Sequence, residues 1–310
     1  MSAGTPNEMR QARLQGHGWQ GTVLDNIANA ARQGSGLNPL YYEAFPAVSL
    51  FRADAVGWNF EHIFNGAAGD AERSMFTPRK DPCFLRSQGD TSATLHWPAR
   101  DSSWGAEAEL TYQIIDPHAI DMRFAVAFER EVWPLDYVAM MWASYMHCTR
   151  ERRIHFYGRD GEREGWISFG DDIEGGFETG TVRCDGVEPL RYQEGAETLN
   201  VVEHPDKTFI LPFYVGLVAG HGDVADEEGT MAYTVMFDQA ESIRFAMWNF
   251  FTDGGGHPDP HSPAWDWQFV VRSPERNRAY GYRCRISYQP FRGYDAVLDE
   301  YQAWRGQLPP

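Results

Sequence analysis

AEAELTYQIIDPHAIDMRFAVAF, residues 106–128, is the stretch whose reading decides the class of fold. Ala108, Leu110, Tyr112 and Ile114 alternate with Glu107, Glu109, Thr111 and Gln113, the pattern of a strand with one face in water. Asp116-Pro-His-Ala supplies a turn, and the return leg sets Ile120, Met122, Phe124, Val126 and Phe128 on a single face. The pattern predicts an antiparallel hairpin.

Outward from this hairpin the same signal recurs. YVAMMWASYM, residues 137–146, is apolar nearly throughout and reads as a central strand. FILPFYVGLV at 209–218 and the segment 231–238 read as further strands, and Tyr280, Tyr282, Cys284, Ile286 and Tyr288 give the last good alternation. Val297, Leu298, Tyr301 and Trp304 then mark one face of an amphipathic helix over 294–305. Near the other end, Val23, Ile27 and Ala30 sit close to helical spacing, with Gly34 and Gly36 beyond them, and predict a helix over 22–33. Residues 1–21 are polar and Gly-rich and read as a loosely held leader. The expectation is one domain over residues 1–310. It is an all-β fold, a large antiparallel β-sandwich over 40–290 with a short helix at each end.

Composition narrows the partners. The 310 residues are 43% hydrophobic and 14% aromatic, enough to bury one large core or two modest ones. The 11 Trp, 14 Tyr and 19 Phe exceed what such a core needs, and aromatic faces stack on sugar rings. The plain alternative is an aromatic-rich β core. A formal charge of −17 repels nucleic acid phosphates and anionic membranes, which excludes both as partners, whereas neutral sugars feel no such penalty. Cys83, Cys148, Cys184 and Cys284 are widely spaced with no CxxC pair, which argues against structural zinc. With neither an apolar signal core nor a run of membrane-spanning length, the expectation is a cytoplasmic protein with reduced thiols. Composition leaves homo-oligomerisation open.

Candidate chemistry gathers in a few places. IRFAMWNFFTDGGGHPDPHSPAWDWQFVVRS, residues 243–273, reads as strand, Gly- and Pro-rich loop, strand. In an extended loop His257, Asp259 and His261 point one way and suit a divalent cation; otherwise no cofactor is expected. Glu61 and His62 stand among Phe60, Ile63 and Phe64, and Arg79, between two prolines, has a planar fork for a carboxylate or sugar hydroxyls. His221 lies between two glycines beyond a buried strand, and His155 follows a charged bend. Proton transfer needs one group to take a proton and another to give one. The catalytic candidates are therefore His221 with Asp266 as its partner carboxylate, Glu61 with His62 as a second pair, and His155. Arg79, Trp142, Trp248 and Trp265 are the expected substrate contacts. Each histidine singly reads as a structural residue before a catalytic one, and the group carries the hypothesis. No phosphate-binding loop, GxSxG elbow or HExxH motif occurs.

This chain-long antiparallel pattern, with Asn-Phe-Glu-His-Ile at 59–63 and a histidine after a mid-chain strand, resembles the galactose mutarotase-like superfamily, which includes aldose 1-epimerases. The likeness spans residues 40–290. It implies a carbohydrate-active enzyme that transfers protons on a neutral or oxidised sugar or glycoside, by epimerisation, elimination or glycosidic bond cleavage. The superfamily's epimerases pair a histidine acid with a late-chain glutamate base. By order His155 or His221 matches the histidine, but Glu241 and Glu275 stand in no matching motif, which leaves Asp266 as the nearest carboxylate. The rivals are a non-catalytic carbohydrate-binding or scaffold protein and a metal-dependent sugar hydrolase or isomerase using the 257–261 loop.

Overall fold

The computed structural model describes residues 9–27, 34–68, 75–196 and 200–308. The predicted hairpin is present as Ala106–Asp116 and Ala119–Phe128, with Leu110 opposite Phe124 and Tyr112 opposite Met122. It belongs to a fifteen-stranded sheet, and a four-stranded sheet lies at the N-terminal end. Every strand pairing described is antiparallel except that of Gly180–Cys184 with Glu203–Phe209. The large sheet folds over on itself. Phe60, on the strand at one end of the path, packs on Trp97 and Phe124 from strands near the other end, with ring centroids 5.3 and 5.2 Å apart. Two sheet faces thus enclose one aromatic core, the arrangement of a β-sandwich.

The C-terminal helix runs Tyr294–Arg305 and lays Val297, Tyr301 and Trp304 on the outer face of that sheet, against Phe213, Val215 and Met236. Its start follows Gly293, whose φ of 98° a side chain would resist. At the other end the structure corrects the sequence reading. Gln11–Gly16 and Trp19–Leu24 are paired strands, so residues 11–24 are neither leader nor helix. Period two won there because Ala12, Leu14, Trp19 and Val23 are all buried on one face, while Ile27, which a helix would have buried, is 57% exposed. The rest of the predicted 22–33 helix, from residue 28, and residues 1–8 of the leader lie outside the described residues. No described helix is long and apolar enough to cross a membrane.

Candidate active site

Five neighbouring strands, Asn59–Phe64, Tyr137–Ala143, Ala264–Arg272, Ile243–Trp248 and Gly180–Cys184, have a second face turned away from the aromatic core. The core-facing rows are Phe60, Trp142, Trp267 and Phe245, then Ile63, Met140, Phe269 and Ile243. On the other face the cross-strand register lines up Asn59, Ala143, Asp266, Ala246 and Thr181, with His62, Met141, Gln268, Arg244 and Arg183 alongside. A bulge sits in the first of these strands: Met141 pairs with His62 but Trp142 with Phe60, so Glu61 is the extra residue. A bulge re-aims a side chain that strict alternation would send inward. Glu61 and His62 consequently share one face although they are adjacent.

Glu61 is fixed from three sides. Arg79, on the short helix Thr77–Lys80, donates to its Oε1 at 2.8 Å, Asn59 Nδ2 donates to its Oε2 at 3.0 Å, and the Tyr145 hydroxyl lies 3.1 and 3.2 Å from the two oxygens. His62 takes its Nδ1 contact from Asn200 at 2.8 Å, and its Nε2 stands 3.7 Å from Glu61 Oε1. Burial depresses the His62 pKa, with the Glu61 charge working against it. Asp266 accepts the Ser144 N–H at 2.8 Å through Oδ1. Burial drives its carboxyl well above the ordinary range; the Ser144 bond opposes that and the Glu61 charge adds to it. Ala143 and Ala246 flank Asp266 in its row and place no bulk beside it. Asn59 Oδ1, His62 Nε2 and Asp266 Oδ2 are buried without a hydrogen-bond partner among the described residues. A buried polar atom left unpaired is costly, and three on the sheet face of one carboxylate mark a place built to receive polar atoms.

Alongside, Arg244 is buried and ion-paired to Glu203 at 2.7 Å, and it donates to Gln268 at 2.6 Å. Desolvation lowers its pKa to about 10, with Glu203 opposing. Toward solvent, Phe76 meets the His62 ring edge-on at 4.4 Å, Phe251 meets Tyr145 at 5.7 Å, and Phe250, half exposed, stacks on Trp248. A separate cavity of about 540 Å³, under the C-terminal helix and lined by His118, Arg285, Gln289 and Glu300 among others, holds none of these groups. Converging unpartnered groups, not volume, decide the assignment.

Of the residues singled out from sequence, Glu61, His62, Arg79 and Asp266 come together, with Trp248 toward the rim. The others do not. His221 is an exposed loop residue set edge-on against Phe45 and shares no contact with fully buried Asp266, so the expected His221–Asp266 pair does not form. His155 bonds Glu151 at 3.0 Å and packs on Tyr294 of the C-terminal helix, on the outer face. Trp142 and Trp265 are fully buried and cannot stack on a ligand: Trp142 lies between Phe60 and Trp267, and Trp265 packs on Tyr233 and donates to the Arg152 carbonyl. The 257–261 loop is not extended. Asp253 and Asp259 each accept a backbone N–H two residues on, which curls it; His257 points to solvent and His261 Nδ1 turns to the Thr149 carbonyl. Among the described residues no three metal-capable side chains converge. Asn59, Tyr145 and Asn200 were missed. Asn59 stood in the quoted 59–63 stretch, but nothing local separates Tyr145 from an apolar strand or Asn200 from a polar loop.

Fold and site together define a large antiparallel β-sandwich carrying a buried, carboxylate-centred cluster. Among solved structures, the Slr1438 protein from Synechocystis sp. PCC 6803 is similar to this chain over 93% of it and 99% of its own length, at 9% identity and a TM-score of 0.53. A galactose mutarotase-like protein from Lactobacillus casei is similar at 9% identity, 90% and 100% coverage and a TM-score of 0.45. The corresponding figures for a galactose 1-epimerase from Lactobacillus acidophilus are 9%, 89%, 93% and 0.45. Likeness at such identities speaks to fold alone. No family model matches the chain, and no curated protein sequence does.

Proposed function

We propose that the chain is a sugar-active enzyme that moves protons at the anomeric centre of a neutral or oxidised sugar. The observation that carries this reading is the set of three unpartnered buried atoms, Asn59 Oδ1, His62 Nε2 and Asp266 Oδ2, on the sheet face that carries the Glu61 carboxylate. Two carboxyl groups in contrasting surroundings are what acid/base catalysis needs. Glu61 lies open to a donated proton beside Arg79, whose guanidinium stands 2.8 Å from Oε1, whereas burial makes Asp266 keep its proton to higher pH. In anomeric epimerisation Asp266 gives its proton to the ring oxygen while Glu61 takes the proton of the anomeric hydroxyl. The bond from the anomeric carbon to the ring oxygen breaks and an open-chain aldehyde forms. Rotation and the reverse transfers close the other anomer. Phe76 and Phe250, 36% and 50% exposed at the rim, offer faces for a sugar ring.

The test is anomeric exchange of a panel of aldoses and uronic acids, followed by NMR against the uncatalysed rate. Glu61→Gln and Asp266→Asn should each slow exchange by about 10²–10⁴-fold, the usual contribution of a placed acid or base. Full activity in both variants sinks the assignment. Sugar binding without exchange in the wild type makes the chain a binding module instead.

A further inference from the structure

Asn200 approaches His62 through its amide nitrogen, Nδ2 to Nδ1, at 2.8 Å. The same Nδ2 lies 3.4 Å from Met75 Sδ, a second acceptor. An amide N–H₂ only donates, so Nδ1 of His62 is the acceptor, and the single proton of the neutral ring sits on Nε2. The Asn200 main chain is pinned as well: its carbonyl accepts from Arg244 Nη1 at 3.1 Å and from Gln268 Nε2 at 3.0 Å. The amide is therefore held toward the imidazole by groups from two other strands. The groups that face His62 are Glu61 from its own strand, Asn200, Met75, Phe76 and, from the short helix, Arg79. Nε2 has no partner among the described residues, and Glu61 Oε1 at 3.7 Å stands just out of reach.

We propose that Asn200 is a positioning residue that holds His62 as the Nε2–H tautomer, so that His62 offers an N–H donor, and not a base, to a substrate oxygen beside Glu61. The nature of that oxygen rests on the function proposed above; the tautomer does not. A ring that only donates stabilises charge building on oxygen, leaving proton exchange to the carboxyls. Turning the amide over would place Oδ1 against Nδ1–H and favour a protonated ring, but it would also set Oδ1 against Met75 Sδ, acceptor against acceptor.

Imidazole ¹⁵N spectra test this without substrate, the His62 signals being those lost in His62→Gln. In the wild type Nε2 should be protonated and Nδ1 bare, with no titration between about pH 6 and 8, where an ordinary histidine titrates. Asn200→Asp presents a group that can only accept. It should move the proton to Nδ1, raise the ring's pKa into that window and slow anomeric exchange about a hundredfold, the cost of losing one placed donor. A wild-type proton on Nδ1 overturns the inference, as does Asn200→Asp leaving the proton on Nε2. If that variant fails to fold, the wild-type spectrum decides alone. Sugar exchange with an Nδ1–H wild type sinks this inference only, whereas an Nε2–H wild type without any exchange sinks the function and leaves the tautomer standing.

Discussion

At the residue scale Asp266 is the side chain that no stability argument explains. A fully buried carboxyl with one bare oxygen disfavours the native state unless it holds its proton. Its folded pKa lies above its unfolded one. The unfolded chain therefore sheds the proton first, and the group's contribution is fully present below the unfolded value and is lost as pH climbs toward the folded one. Asp266→Asn removes that loss. The variant should be more stable than the wild type at neutral pH, with a gap that widens from about pH 4 upward by about 1.4 kcal/mol per pH unit until the folded pKa is passed. Urea unfolding at several pH values measures it. Lower activity joined to higher stability is the mark of a residue kept for function; a gap that ignores pH would refute the shifted carboxyl.

At the scale of elements, the strand Tyr137–Ala143 and the loop after Ile243–Trp248 divide the aromatic residues into two jobs. Trp142 fills the sandwich between Phe60 and Trp267, and Trp142→Ala should cost about 3–5 kcal/mol by opening a core cavity. Phe250 is half exposed on the loop, and Phe250→Ala should change stability by no more than about 0.5 kcal/mol. Sugar affinity should fall in the second variant. Thermal melts with and without ligand separate the two, and a ligand effect confined to Trp142→Ala would move the binding face elsewhere. The same strand shows what a short pattern conceals. Tyr137–Ala143 is buried on both faces, so its apolar run does not say which side is core, and Trp142 reads as readily for a binding platform as for a filler.

For the whole molecule, a formal charge of −17 places like charges around one sandwich. Their mutual repulsion opposes the compact state and is screened by salt, whose Debye length falls from about 30 Å at 0.01 M to about 8 Å at 0.15 M. The melting temperature should accordingly rise by a few degrees, about 1 kcal/mol of stability, over that change in sodium chloride. A fall would mean that favourable ion pairs such as Lys207–Glu178 and Arg244–Glu203 outweigh the repulsion.

The sequence by itself determined the all-β architecture, the hairpin at 106–128 and the helix at 294–305. Each is written in a repeat of two or of 3.6 residues, and such periods are local. It also held Glu61, His62, Arg79 and Asp266 as polar residues in apolar or Pro-bound settings. Two things only the tertiary structure decided. One is the N-terminal strands, where sparse apolar residues suit either period and pairing with Gly36–Tyr42 settles the matter. The other is which polar groups meet. Glu61 and Asp266 share one sheet face because a one-residue bulge shifts the register of the first strand against the second, and because Ala264–Arg272 pairs with that second strand across more than a hundred residues of chain. His221 and His155, as promising in sequence, lie on other surfaces for the same reason. Register between distant strands is a property of the packed sheet, and no window of neighbouring residues contains it.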